Sequence, residues 1–147
     1  GDWQGLTAHR LLDVIYRPVL SPSLLAECGG LTSPADLARY PIIHQWDREE
    51  WNAWLKLVGQ PDLRFARETV TRDSNLALQA AMEGQGVVMG TFPFVLGEVA
   101  SGRLVCPFET ELHPARGYYL LNRPGARSVP AVNAVCAWIE AEAALPL

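Results

Sequence analysis

A run of hydrogen-bonding residues, Thr71-Arg72-Asp73-Ser74-Asn75, has the side chains best suited to binding a ligand. It follows a strand-like segment and precedes a helical one. Ligands of open α/β sheets bind beyond the carboxyl ends of the strands, and a helix start offers unpaired N–H groups to a carboxylate. The run therefore predicts a small-molecule site, although Asp73 followed by Ser74 is also an ordinary helix N-cap sequence.

A glycine cluster at residues 84–90, Gly-Gln-Gly-Val-Val-Met-Gly, is the only candidate for a nucleotide-binding loop. The dinucleotide fingerprint G-x-G-x-x-G must leave a strand and open a helix, so that the helix N-terminus meets the pyrophosphate. Here the third glycine comes one residue late, and the cluster closes a predicted helix and opens a strand. We interpret it as a helix C-cap, and we predict no cofactor.

The sequence contains few of the residue patterns that indicate catalysis or metal binding. It has no G-x-S-x-G elbow, no H-E-x-x-H pair and no His/Asp/Glu cluster with metal spacing. His44, at the end of a short apolar segment, could face a cleft, but a buried structural histidine is the simpler interpretation. We predict that the chain is not an enzyme and holds no metal.

Composition and charge restrict the possible partners. The 147 residues carry 12 basic and 16 acidic side chains, for a net charge of −4. This acidity disfavours contact with a phosphate backbone, and no apolar run is long enough for a membrane span. The three cysteines are too few and too widely spaced for a disulfide framework or a zinc site. They predict buried, unreactive thiols and a cytoplasmic protein.

Helix signals and apolar segments alternate along the chain, which predicts an α/β fold with a largely parallel sheet. The predicted strands are residues 11–20, 42–44, 64–70, 87–89, 104–105 and 118–121. Helices are expected after Ser21, Ser33, Asp47, Asp73, Phe94 and Ser128. Two of them have an apolar stripe, formed by Trp51, Trp54, Leu55 and Val58 in one and by Val132, Val135, Cys136 and Ile139 in the other.

Seven stretches in register resemble the effector-binding domain of LysR-type transcriptional regulators, in the branch of the glycine-cleavage activator and the β-lactamase regulator. The most extensive is residues 73–87, Asp-Ser-Asn-Leu-Ala-Leu-Gln-Ala-Ala-Met-Glu-Gly-Gln-Gly-Val. The others are residues 1–6, 18–25, 33–41, 51–55, 102–108 and 118–120, followed by the last helix through Trp138-Ile139. The resemblance covers essentially the whole chain.

The resemblance implies a Rossmann-like lobe of the type II periplasmic-binding-protein-like fold together with part of a second lobe. Residues 20–103 would form lobe II. Residues 1–19 and 104–147 would belong to lobe I, which the chain enters twice. The DNA-binding helix-turn-helix and the first half of lobe I would then lie outside this chain, so that DNA is contacted only by an absent domain.

The resemblance also assigns residues to an effector cleft. Asp73 and Ser74 match the helix start that lines it, and Thr71 leads into that helix. Tyr118 or Tyr119 matches the returning strand beside the cleft, and strand alternation sends only one of them inward. Trp46 is a further candidate.

Our leading hypothesis is a non-catalytic sensor of a bacterial, cytoplasmic regulator that self-associates through its effector domains. Its effector would be a small molecule with a carboxylate or amide group. The alternative is a periplasmic-type solute-binding lobe of a transport system.

Overall fold

A computed structural model describes residues 3–144 of the chain. The chain divides into two compact units, a central unit from Ile15 to Leu112 and an outer unit formed by the segments before and after it. No described helix is both long and apolar enough to cross a membrane.

The outer unit contains strands β1 (Thr7–Asp13) and β6 (Gly117–Asn122) and the helix α5 (Pro130–Ala143). The central unit contains strands β2 (Ile15–Val19), β3 (Pro41–Gln45), β4 (Arg67–Thr71) and β5 (Val87–Phe92). Its α-helices are α1 (Pro22–Glu27), α2 (Glu49–Leu57), α3 (Ser74–Met82) and α4 (Leu96–Ala100). Short 3₁₀ helices span Pro34–Arg39 in the central unit and Ala126–Ser128 in the outer unit.

The central sheet has the strand order β2-β5-β3-β4. Strand β3 runs parallel to both β4 and β5, as expected for β-α-β connections. Strand β2 runs antiparallel to β5, so the sheet is mixed at that side rather than parallel throughout. The order leaves β4 as the outer strand of this sheet.

Side chains alternate between the two faces of the central sheet and pack against helices on both. One face is packed with large apolar groups from β3, α2 and the N-terminal helices, including the buried Ile42, Trp51, Trp54 and Tyr40. The other is packed with smaller groups and lies under α3, where Ile43 and Val88 contact Ala77 and Ala81. Alanines on its inner side bring α3 close to the sheet.

The central unit extends beyond the 20–103 interval expected for one lobe. Strand β2 pairs with β5, which brings the unit's first residue to Ile15. Residues 104–112 stay with it because Trp54 Nε1 donates to the Thr110 carbonyl at 2.9 Å and the Arg17 side chain donates to the Phe108 carbonyl. The strand predicted at residues 104–105 is a single bridge between Leu20 and Val105.

The outer unit pairs β1 antiparallel with β6, and α5 contacts β1. Cys136 is buried in α5, and its Sγ donates to Asn122 Oδ1 at 3.3 Å. The predicted stripe is only partly correct, because Val132 and Ile139 are half-buried and Val135 is exposed. All three cysteines are free thiols, but Cys28 and Cys106 are half-buried rather than buried.

Candidate functional site

The carboxyl ends of β3 and β4 bring Trp46 and Thr71 together. The two strands pair in parallel, with Gln45 beside Thr71, and the Trp46 N–H continues this ladder by donating to the Thr71 carbonyl at 2.8 Å. Helix α3 begins three residues after Thr71. This edge of the sheet is where an open α/β fold places its ligand.

Asp73 is the N-cap of α3, as its position before a helical segment predicted. Its Oδ1 accepts hydrogen bonds from the N–H groups of Asn75 at 2.9 Å and Leu76 at 3.2 Å. Its own N–H donates to Thr71 Oγ1 at 3.2 Å. The helix start therefore differs from our expectation, because two of the N–H groups proposed for a ligand carboxylate already bind the Asp73 carboxylate.

Ser74 and Arg72 supply the groups that remain available at this helix start. Both are exposed. Among residues 3–144, no protein group hydrogen-bonds the Ser74 hydroxyl and no carboxylate pairs with the Arg72 guanidinium. A hydroxyl and an unpaired cation side by side favour an anionic or strongly polar ligand. Arg72 belongs to the run that the sequence singled out, but it was not assigned a role there.

Trp46 combines exposure with an unusual backbone conformation. Its φ angle is +67°, the only positive value outside glycine among the described residues, and 63% of the residue surface is exposed. A bulky side chain in the left-handed region is strained, and such strain is concentrated at functional sites. The combination strengthens Trp46 as a candidate, although the strain could not be read from its sequence position.

A buried polar network lies on the face of β3 and β4 that is opposite to α3. His44 is fully buried, and its Nε2 lies 2.8 Å from Glu68 Oε2. The same carboxylate oxygen pairs with Arg48. The network ties β3 to β4 and to the residue that precedes α2, which agrees with the interpretation of His44 as a structural histidine. Sequence reasoning missed Glu68 and Arg48, since neither has a motif.

The two tyrosine candidates belong to the outer unit, where they are consecutive residues of β6. Tyr119 is half-buried, with its ring centroid 5.0 Å from that of Trp3 and the Arg10 guanidinium 5.9 Å above it. Tyr118 is 46% exposed. Strand alternation places the two rings on opposite faces of β6, and the packing of Tyr119 leaves Tyr118 as the more accessible ring.

Two cavities flank α3. The first, which we call the α3–β4 groove, has a volume of about 220 Å³ and is lined by Ile43, Thr69, Thr71, Leu76, Ala77, Ala80 and Gln85. The second, the C-terminal groove of α3, has a volume of about 470 Å³ and is lined by Ser21, Pro22, Ser23, Gln79, Met82, Glu83, Gly102 and Arg103. Since α3 starts at the carboxyl end of β4, its last turn lies at the opposite edge of the sheet, away from the crevice where α/β ligands bind. Residues 3–144 contain no cluster of three His, Cys, Asp or Glu side chains suited to a metal ion.

Comparison with known proteins decides the family. The model of the LysR substrate-binding domain matches residues 1–144. The chain belongs to this family. It is 32% identical over 144 residues to the glycine cleavage system transcriptional activator of Escherichia coli strain K12, an alignment that covers 98% of the chain and 47% of that protein. It is 30% identical over 141 residues to the transcriptional activator AmpR of Enterobacter cloacae, with 95% and 47% covered. The chain thus spans about half the length of these regulators.

Solved structures agree with this assignment. The AmpR effector-binding domain of Citrobacter freundii superposes with a TM-score of 0.82 at 25% identity, over 97% of this chain and 70% of that domain. The AmpR effector domain of Pseudomonas aeruginosa gives a TM-score of 0.79 at 30% identity, over 98% and 68%. The predicted resemblance and fold class are therefore confirmed. The relatives are transcriptional regulators, and nothing in these matches supports the transport alternative.

Proposed function

We propose that this chain is the effector-sensing part of a LysR-type transcriptional regulator and that it has no catalytic role. The observation that carries the proposal is the carboxyl edge of β3 and β4, where an exposed hydroxyl, an unpaired guanidinium and an exposed indole adjoin the start of α3 in a chain of this family. With a net charge of −4, the chain is poorly suited to hold DNA. DNA binding in the cytoplasm would be the task of a separate domain of the regulator.

We further propose that residues 20–103 belong to lobe II and that residues 1–19 and 104–147 belong to lobe I. The division into a central and an outer unit supports this arrangement except at its boundaries, because residues 15–19 and 104–112 belong to the central unit. In this assignment Tyr118 or Tyr119 remains the effector-binding candidate of lobe I.

The effector in this proposal is a small molecule with a carboxylate or amide group. Ser74 binds that group through its hydroxyl, and Arg72 adds a charge-assisted hydrogen bond when the group is a carboxylate. The Thr71 hydroxyl can donate a hydrogen bond to the ligand, since within the protein its oxygen only accepts one from the Asp73 N–H. Asp73 fixes the helix start, and its Oδ2 accepts a hydrogen bond when the effector group is an amide. Trp46 offers an apolar surface.

Effector binding would change the relative populations of two global states of the regulator, because a ligand shifts an equilibrium only by its difference in affinity for the two states. Self-association through the effector domains would transmit that shift to the DNA-binding domains. No catalytic step is needed for this mechanism.

The test is a reporter assay with the full-length regulator carrying Ser74→Ala. We expect reduced induction at an effector level that half-induces the wild type, because the variant loses a hydrogen bond to the effector worth roughly 1 kcal/mol or more. The melting temperature should stay unchanged, since no protein group of the described chain uses this hydroxyl. Gln79→Ala, at an exposed residue further along the same helix, is the matched control and should induce normally. Normal induction by Ser74→Ala would remove Ser74 from the site.

A further inference from the structure

The α3–β4 groove continues from the candidate site into the body of the central unit. Thr71 lines the groove and also belongs to the edge where β3 and β4 end. Ile43 is 6% exposed and Ala77 is fully buried, so these two residues close the groove toward the core. Leu76, 59% exposed, stands at its rim beside the first turn of α3. The groove therefore has an apolar wall toward the core, while Thr69 and Gln85 are exposed polar side chains on its solvent side.

Small side chains create this space. On its sheet side α3 presents Ala77 and Ala80, and β4 presents Thr69 and Thr71 on the face that also carries Ile43. None of these four side chains is long enough to fill the gap between the outer strand and the helix. A leucine or isoleucine is usual where a helix packs on a sheet, so the gap is a property of these particular residues.

The volume of the groove limits what can occupy it. Its volume of about 220 Å³ is smaller than the roughly 300–1,000 Å³ typical of a complete ligand pocket. A folded protein segment is too large for it. A short unbranched aliphatic chain fits both its size and its apolar interior, while Thr71 links it to the polar groups at Ser74 and Arg72.

We propose that the α3–β4 groove binds an aliphatic arm of the effector, which makes the effector an amphipathic small molecule with a carboxylate or amide head and a short apolar chain. This inference rests on the proposed function, because the head group occupies the site at Thr71 and Ser74. The groove then selects among carboxylates by chain length, and Thr69 is a specificity-determining residue.

The experiment titrates this chain with acetate, propionate, butyrate and pentanoate, and follows the methyl NMR signals of Ala77 and Ala80. Each added methylene should lower the dissociation constant about fourfold, since burying a CH₂ group contributes about 0.8 kcal/mol. Thr69→Phe fills the groove and should abolish the dependence on chain length. Val70→Phe, on the adjacent residue of β4 and the opposite face, is the matched control and should retain it.

The outcomes separate the groove from the proposed function. Three results would contradict binding of the aliphatic arm in the groove. They are a dissociation constant that does not depend on chain length, an unchanged length dependence in Thr69→Phe, and the absence of any signal shift at Ala77 and Ala80. The same titrations with Ser74→Ala test the head-group site. If Ser74→Ala leaves all four affinities unchanged while Thr69→Phe removes the length dependence, the proposed function of Ser74 fails and the groove stands.

Discussion

Individual residues at the carboxyl edge of the central sheet belong to the candidate site and also stabilise the fold. Asp73 stabilises α3 by binding two of its first N–H groups, and in doing so it uses groups that would otherwise be open to a ligand. The sequence predicted the N-cap correctly, because Asp before a helical segment is a local signal. It could not show which donors remain, since that depends on the side-chain geometry of Asp73.

Trp46 should lower the stability of the chain through its backbone. A left-handed conformation costs a non-glycine residue about 1–2 kcal/mol, and Trp46 has a φ angle of +67°. We expect Trp46→Gly to have a free energy of unfolding about 1 kcal/mol higher than that of Trp46→Ala, because both variants lose the indole but only glycine is unstrained. Urea denaturation of the two variants measures this. Equal stabilities would show that the conformation carries no strain.

Asp36 should make the stability of the chain depend on pH in the acid range. The N–H of Ser33, followed by the N–H and hydroxyl of Thr32, hydrogen-bonds this carboxylate and lowers its pKa from 3.8 to about 2. A pKa lower in the folded state stabilises the fold above pH 3.8, and this contribution is lost as the pH falls toward 2.

Melting temperatures of the wild type and Asp36→Asn between pH 2 and 5 test this expectation. The wild type should be more stable than the variant at the upper end of this range, and the difference should shrink toward the lower end. Asp62→Asn, at an exposed carboxylate with no hydrogen-bond or ion-pair partner in the described chain, serves as the control. If the difference in melting temperature between the wild type and Asp36→Asn does not change with pH, the lowered pKa of Asp36 is contradicted.

At the scale of elements, the packing of α3 and β5 on β3 depends on one glycine. A Cβ atom added to Gly86 would lie 2.8 Å from Ile43 Cγ1 and 2.9 Å from the Pro41 carbonyl oxygen. The backbone oxygen cannot move without disturbing the start of β3. The glycine cluster thus serves close strand packing, and it has no phosphate-binding geometry because it leads from the end of α3 into a strand.

Gly86→Ala should therefore lower the free energy of unfolding by about 1–3 kcal/mol, the range for overpacking a core. Gly97→Ala is the matched control, because a Cβ at Gly97 in α4 meets no atom within 4 Å. It should be neutral or stabilise the helix by about 0.5–1 kcal/mol. Chemical denaturation of both variants gives the comparison. A neutral Gly86→Ala would show that the strands do not approach as closely as described.

Elements with strong local signals were predictable and those that depend on pairing partners were not. The N-caps at Ser21 and Asp73 and the C-terminal glycine after α3, with a φ angle of +75° at Gly84, mark helices in the sequence itself. The antiparallel direction of β2 is set by its pairing with β5, which lies about seventy residues further along the chain. The buried side of α5 was similarly misassigned at Val135, because several of its faces are apolar.

At the scale of the whole molecule, the sequence identified the family more reliably than it identified the site. Seven stretches in register implied the LysR effector domain, and the family match over residues 1–144 confirms it. The site residues could be named only by position in those stretches. The unpaired guanidinium of Arg72, the backbone strain at Trp46 and the pairing of His44 with Glu68 required the three-dimensional structure, since none of them follows from the local sequence.

The acidity of the chain is consistent with the proposed division of labour in the regulator. A net charge of −4 gives no attraction to a phosphate backbone, while the carboxyl edge of the central sheet provides Arg72 as a local cation for a small anion. Under the proposed function, this chain would recognise the small molecule and a separate domain would contact DNA.

The most direct test of this account measures where the effector binds. In the full-length regulator, the small carboxylate or amide that raises the melting temperature most is titrated into the wild type, Ser74→Ala and Gln79→Ala. We predict that Ser74→Ala raises the dissociation constant about fivefold or more, while Gln79→Ala, in the C-terminal groove of α3, leaves it unchanged. Binding that Gln79→Ala abolishes and Ser74→Ala retains would contradict an effector site at the carboxyl edge of β3 and β4.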